Sequence, residues 1–219
     1  MSLSPTILLI IALAPLVGYL PMAGLAALLI VVAKNDSAHR KLAAQFSGRK
    51  VKKLYMSLVH GWPAKDRGTI NAEISRDAVR RIRMTTRAKG GRAAVTHWQV
   101  LKRIESPYGK FALNKVHIET GRTHQIRVHM VSIGHPVVGD TLYGAPRELR
   151  IAPARASDTA SIAGKPGKLA LNRNFLHAAE IEFTHPKTGE PLTFRAPLPA
   201  ELSQFLADIG AEAVAGQQL

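Results

Sequence analysis

The chain has 219 residues, with 30 Lys plus Arg against 15 Asp plus Glu, for a formal net charge of +15. A hydrophobic share of 46% is enough to build a core and excludes a wholly disordered chain, and the length suits one domain with a short appendage. With no cysteine, disulfides, a thiol nucleophile and cysteine-held metal are excluded, while the positive excess points to a polyanion, either nucleic acid or an anionic membrane surface.

In chain order, Met1 to Ala33 carries no charged side chain. The apolar run Ile7 to Ala33 exceeds the roughly 20 residues of a membrane-spanning helix. Pro15 and Pro21 interrupt it, and no basic stretch precedes it as in a secretory signal. Two readings stand: a membrane segment within residues 7–33, or an apolar N-terminal extension (1–27) leading into a buried strand from Leu28 to Ala33. From residue 28 to 210 the texture is that of an α+β domain, followed by a tail, 211–219. Asp36 or Ser37 caps a helix to about Phe46, with Ala38, Leu42 and Phe46 on one face. Lys53 to His60 reads as a strand, and Thr69 to Ile74 as a second. Arg76 to Lys89 gathers Arg76, Arg80, Arg81, Arg83, Arg87 and Lys89 against one acid, Asp77. Ala93 to Ile104 and Lys110 to Glu119 alternate as antiparallel partners across Ser106-Pro-Tyr-Gly109. A helix follows from about Thr123, with Ile126, Met130 and Ile133 as its apolar stripe. Residues 147–168, rich in Ala, Ser, Pro and Gly, read as a surface insertion. Strands from Phe175 to Phe183 and Pro191 to Ala196, with a helix starting at Pro199, complete the domain.

Chemistry concentrates where the strand ending at Thr120 turns into the Thr123 helix. Arg122, His124, Gln125 and Arg127 crowd its first turns. Backbone N–H groups at a helix start and guanidinium forks suit phosphate, and Gln and His can read a base edge. An amphipathic helix with a basic solvated face explains the same residues. A metal site fits poorly, because His124, His129 and His135 lack the i, i+4 pairing of a helical zinc site and have no acidic partner nearby.

The stretches Gly121-Arg-Thr-His-Gln-Ile-Arg-Val-His129 and Gly134-His-Pro-Val-Val-Gly-Asp-Thr-Leu-Tyr-Gly144 closely resemble the signature of the RluA-type pseudouridine synthases, which modify uridines in ribosomal or transfer RNA. Leu29-Ile-Val-Val-Ala-Lys-Asn35, Lys53-Leu-Tyr-Met-Ser-Leu-Val-His-Gly61, Phe175-Leu-His-Ala178, Phe183-Thr-His-Pro186 and Phe194-Arg-Ala-Pro197 extend the likeness in the same order, over about Leu28 to Ile209. The resemblance implies a mixed, largely antiparallel sheet core with flanking helices and an RNA cleft, and isomerisation of uridine to pseudouridine without metal or organic cofactor, in the cytoplasm. It makes Tyr55 the tyrosine that stacks on the extruded base and Arg127 the arginine that orients the catalytic carboxylate. Ile126 and Val128 become walls near the uracil, and Arg80, Arg83, Arg92, Arg122, His124 and Gln125 the RNA-binding set.

One part of the pattern is missing. The family's His-Arg-Leu-Asp loop falls, without gaps, on Leu20-Pro-Met-Ala23, with Ala23 at the aspartate position and Ala26-Ala-Leu28 in place of Thr-Ser-Gly. Alanine is neither nucleophile nor base. Asp36 lies beyond the strand, and Asp140 reads as the holder of a turn. The expectation is a family member that is truncated, or a catalytically dead RNA-binding relative with Arg127 left as an unpaired cation; a basic protein tethered to a membrane by its apolar head is the alternative.

Overall fold

The stretches of sequence that alternate become neighbours in one sheet. The computed structural model describes residues 7–10, 30–87, 90–151 and 166–211. In chain order the first elements are β1 (Ile7–Ile10), β2 (Ile30–Ala33), α1 (Asp36–Ser47), β3 (Lys52–His60) and β4 (Arg67–Asn71). A small hairpin, β5 (Ser75–Arg76) and β6 (Met84–Thr85), precedes the long pair β7 (Val95–Ser106) and β8 (Gly109–Ile118). Helix α2 (Gln125–Ser132), a 3-10 turn at Thr141–Tyr143, β9 (Leu149–Arg150), β10 (Lys168–Leu169), β11 (Leu176–Thr184), β12 (Pro191–Arg195) and α3 (Ala200–Asp208) follow.

Six strands form the central sheet in the order β12-β11-β3-β8-β7-β4, and every pairing is antiparallel rather than mixed. Side chains on a strand alternate between faces, so the sheet has two distinct cores. On one face Met56, Leu58, Phe111 and Leu113 pack with Phe175 and with Leu202, Phe205 and Leu206 of α3. On the other, Val59, Trp98, Ala112 and Val116 pack with Ile126 and Met130 of α2, and Tyr55 lies against this cluster. The extra residue between Val100 and Lys102 is a bulge that bends β7 between these two cores.

Local chemistry moves several boundaries from the sequence reading. Asn35, not Asp36 or Ser37, caps α1: its side-chain oxygen accepts from the Ala38 N–H at 2.9 Å. Ala38 and Leu42 are buried as the stripe requires, but Phe46 is 44% exposed and meets the Lys53 ammonium instead, 6.0 Å from its ring centroid. Strand β4 stops at Asn71, and the arginine-rich stretch folds into the β5–β6 hairpin that two-residue strands gave no pattern to announce. Helix α2 begins at Gln125, two residues later than expected.

The apolar N-terminus is extended where it is described. Strand β1 pairs antiparallel with β2, Ile7 opposite Ala33, so residues 7–33 are not one continuous helix. No helix among the described residues is long and apolar enough to cross a membrane. The Ala23 position, most of the 147–168 segment and the tail beyond Ala211 lie outside the described residues. The flanks of that segment are tied down: β9 pairs with β10, and the Tyr108 hydroxyl donates to the Pro166 carbonyl at 2.6 Å.

Two histidines, His129 and His177, are sealed in this framework, and a third, His60, is half-buried. His129 is fully buried, and burial pushes it, His60 and His177 below the ordinary value of 6.5. A histidine that resists protonation when folded takes up protons preferentially when unfolded. Stability is therefore full above about pH 6.5 and declines as pH falls below it. The urea midpoint is expected to be lower at about pH 5.5 than at about pH 7.5, and equal midpoints would refute this assignment.

Candidate active site

The start of α2 is fixed by an amide. The Gln125 side-chain oxygen accepts from the Thr120 hydroxyl at 2.7 Å and from the Arg122 N–H at 3.0 Å. Its side-chain nitrogen donates to the Val95 carbonyl at 2.9 Å and the Thr96 hydroxyl at 3.0 Å. With all four bonds made and 3% exposure, Gln125 pins α2 to β7 and has nothing left to read a base. The chain of bonds continues into the helix, where Thr96 Oγ1 meets His129 Nδ1 at 2.8 Å and His129 Nε2 meets the Ala72 carbonyl at 3.0 Å. The carbonyl can only accept, so Nε2 carries the proton and Nδ1 takes the Thr96 hydroxyl. His135 Nδ1 likewise donates to the His60 carbonyl at 2.9 Å. These histidines hold the fold, and no cluster suited to a metal ion occurs among the described residues.

Two residues beyond Gln125 along α2, Arg127 meets a carboxylate. Its Nε donates to Asp140 Oδ2 at 2.6 Å and an Nη to Oδ1 at 2.7 Å, a side-on pair with both residues buried. The expectation of an unpaired Arg127 is thus corrected. The geometry comes from the turn after α2. Gly139 has a left-handed φ of 77°, and a Cβ there would strike the Arg173 carbonyl, so only glycine lets the chain pass. The Asp140 carbonyl accepts from Tyr143 and Ala145 N–H groups at 3.0 and 3.1 Å, which curls the turn and aims the carboxylate back at the helix. Asp140 holds a turn, as its place in the sequence suggested, and also neutralises Arg127.

The same turn delivers Tyr143 into a cluster of cations. The Arg127 guanidinium carbon lies 4.8 Å from the centroid of its ring, and that of Arg83 5.3 Å. The Tyr143 hydroxyl accepts from the Met84 N–H at 2.8 Å and lies 3.0 Å from His124 Nδ1, so its own proton points to that nitrogen. To reach it, His124 adopts a left-handed φ of 55°, a conformation that costs a non-glycine residue roughly 1 kcal/mol or more. Burial, with Arg127 nearby, lowers the His124 pKa, which keeps the ring neutral and able to accept. Burial likewise raises the Tyr143 pKa. Arg83 Nε is buried with no hydrogen-bond partner among the described residues.

Of the residues singled out from sequence, Arg83, His124 and Arg127 come together around Tyr143. Arg122 Nε donates to the Ala93 carbonyl at 3.2 Å, while Arg92 is exposed on the segment just before β7 and Arg80 on the hairpin tip. Tyr55 is half-buried on the sheet face that carries α2, with its hydroxyl pKa raised by burial. Ile126 and Val128 are buried, packed respectively against the sheet and against Ile74, Ala94 and Tyr143. Asp140 was underrated and Tyr143 overlooked. The signal for Asp140 was present, since it is the one acid between Glu119 and Glu148.

The pair makes a quantitative demand. Removing one partner of a buried ion pair strands the other, so Asp140→Asn should cost about 3–5 kcal/mol. The double variant Arg127→Met with Asp140→Leu should recover much of that loss, because it buries no charge. Urea denaturation of the wild type, Arg127→Met, Asp140→Leu and the double variant closes the cycle, and additive losses would show that the two side chains are not coupled.

Comparison with known proteins agrees with this geometry. The family described as RNA pseudouridylate synthase matches residues 29–132. An uncharacterised RNA pseudouridine synthase of Bacillus subtilis is 40% identical over 181 residues, covering 83% of this chain and 52% of the relative. Ribosomal large subunit pseudouridine synthase D of Zymomonas mobilis is 37% identical over 175 residues, 80% of this chain and 50% of the relative. The chain thus spans about half the length of the curated relatives it matches. The solved structure of human RNA pseudouridylate synthase domain containing 1 superposes with a TM-score of 0.59 at 27% identity, over 80% of this chain and 65% of that one. Signature helix, antiparallel sheet and relatives agree: the chain belongs to the RNA pseudouridylate synthase family.

Proposed function

We propose that this chain is the RNA-holding and uridine-orienting part of a pseudouridine synthase that acts on ribosomal or transfer RNA in the cytoplasm, with no metal or organic cofactor. The observation that carries the reading is the cation cluster at Tyr143, where Arg83 and Arg127 face one buried ring and the arginine-rich hairpin docks through the Met84 bond. Arg83, whose Nε has no partner among the described residues, and the exposed Arg80 and Arg92 suit the phosphates flanking a target nucleotide. A uridine within folded RNA must be extruded before its glycosidic bond can be reached, and the half-buried ring of Tyr55 offers a stacking surface for it.

The reaction moves C1′ of the ribose from N1 to C5 of the uracil; the C5 hydrogen leaves as a proton and N1 gains one. It calls for a carboxylate that can reach the nucleoside. Asp140 is poorly suited, since its side chain has no exposed surface and both oxygens are held by Arg127. Ala23 stands where the family resemblance puts the catalytic aspartate. The chain as it stands therefore binds RNA without turning uridine over, and Arg127, already neutralised by Asp140, does not depend on a further acid to stay folded.

Two measurements test this. Affinity for a ribosomal RNA stem-loop should fall steeply with salt, with a log–log slope of several units at roughly 0.7–0.9 per neutralised phosphate. Arg122→Gln should lower that slope by about one, and a flat salt response would refute RNA binding. Release of tritium from RNA labelled at C5 of uridine should stay at background. Turnover that disappears in Asp140→Asn, with the variant shown to be folded, would make Asp140 the catalytic acid and overturn its assignment as a structural partner.

A further inference from the structure

The sheet face opposite α2 is not fully covered. Helix α3 packs over Met56, Leu58, Phe111 and Leu113, but the same face continues past them in two polar rows. One row runs Arg67, Gln99, Lys115 and the other Thr69, His97, His117, Leu54, each aligned by strand register across β4, β7, β8 and β3. Together they line a shallow groove of about 340 Å³, a volume of the order of one nucleotide. Polar side chains at the centre of a sheet are consistent with a solvated face, yet the composition of this one is biased. Arg67 and Lys115 supply two fixed positive charges, and no carboxylate lines the groove. Glu119 is taken up by His97 Nε2 at 2.6 Å, while Thr69 Oγ1 meets His97 Nδ1 at 2.8 Å. His97 and His117 stack, with centroids 5.8 Å apart and planes at 21°, and the His117 ring makes no hydrogen bond among the described residues.

We propose that this groove holds one nucleotide of a single-stranded RNA segment that flanks the structured target, its phosphate between Arg67 and Lys115 and its base against the His117 ring. The proposal rests on the RNA reading above and adds a second contact on the far side of the sheet. A flat ring with an adjacent amide and a pair of cations is a sequence-tolerant combination for single strands. Topology supplies the route. Strand β4 is the sheet edge, Arg67 is exposed at its start, and the chain leaves its other end for the arginine-rich hairpin on the α2 side. A strand held at that hairpin can pass around the β4 edge into the groove.

The test uses the full chain and two RNAs, a bare stem-loop and the same stem-loop with a single-stranded uridine flank. The flank should strengthen binding, and Lys115→Gln and His117→Ala should each remove about tenfold of affinity for the flanked RNA while leaving the bare stem-loop unchanged. Photo-crosslinking of 4-thiouridine placed in the flank of the unmutated complex should label the peptides that carry His97–Gln99 or Lys115–His117, a readout that needs no variant to fold. If the stem-loop binds but the flank adds nothing and labels neither peptide, the groove proposal falls and the RNA reading stands. If neither RNA binds, both fall. If uridine monophosphate alone binds as tightly as the flanked RNA, the groove is a mononucleotide site and the proposal is wrong.

Discussion

The site depends on the Arg127–Asp140 pair. Two buried charges in low dielectric are tolerable only with close geometry and satisfied donors, and a side-on guanidinium–carboxylate pair at 2.6 and 2.7 Å meets that condition. Meeting it fixes several things together. The turn after α2 must fold back, Gly139 must take a conformation closed to other residues, and Tyr143 is carried under Arg127 as a consequence. Tyr143 then serves as the dock for the arginine-rich hairpin through Met84 and as the partner that draws His124 into a strained backbone. A single ion pair thus organises three separate pieces of chain around one ring.

Beneath it lies a second, uncharged constraint. Gln125, Thr120, Thr96 and His129 form a closed series of hydrogen bonds that joins α2 to β7 and, through Ala72, to the segment after β4. Such a network leaves little freedom in where the helix begins, because shifting it by one residue would orphan several buried donors. The helix is short, eight residues, and would not form alone in water. Its stability is borrowed from the sheet, and so is the position of Arg127.

Periodicity carried most of the fold. The alternation of Lys53 to His60 and of the two long strands around Ser106-Pro-Tyr-Gly109 marked the sheet, and Pro199 marked the start of α3, because these signals are local. What was not legible depended on tertiary partners. Gln125, at the start of a basic helix, looks solvent-facing until Thr96 and Val95 are brought against it. Phe46 completes an apolar stripe by spacing, yet α1 buries only Ala38 and Leu42, and Phe46 stays 44% exposed. Asp140 is 13 residues from Arg127 in the chain, across a turn whose reversal rests on one glycine. The family motif named Arg127 and Tyr55 by position, but could not reveal that a different carboxylate already answers the arginine.

The charge of the molecule acquires a direction from the same structure. Six of its acids stand in ion pairs at the surface: Glu182 with Lys52, Glu180 with Arg195, Asp66 with Arg103, Glu105 with Lys110, Glu119 with His97, and Glu148 with Arg150 and Lys168. Such exposed pairs add little stability, but they cancel field locally. On the hairpin the only acid, Asp77, is turned inward to its own backbone, accepting from the Arg80 and Val79 N–H groups, which hold its carboxyl below the ordinary range. It caps the loop without pairing with the surrounding arginines. Arg76, Arg80, Arg81, Arg83, Arg87, Arg92 and Arg122 make no ion pair among the described residues, so this part of the chain keeps its positive charge uncancelled. The buried pair at Arg127 contributes nothing to that field, since it is neutral as a unit. Its role is to keep the ring and the helix in place beneath the unpaired arginines.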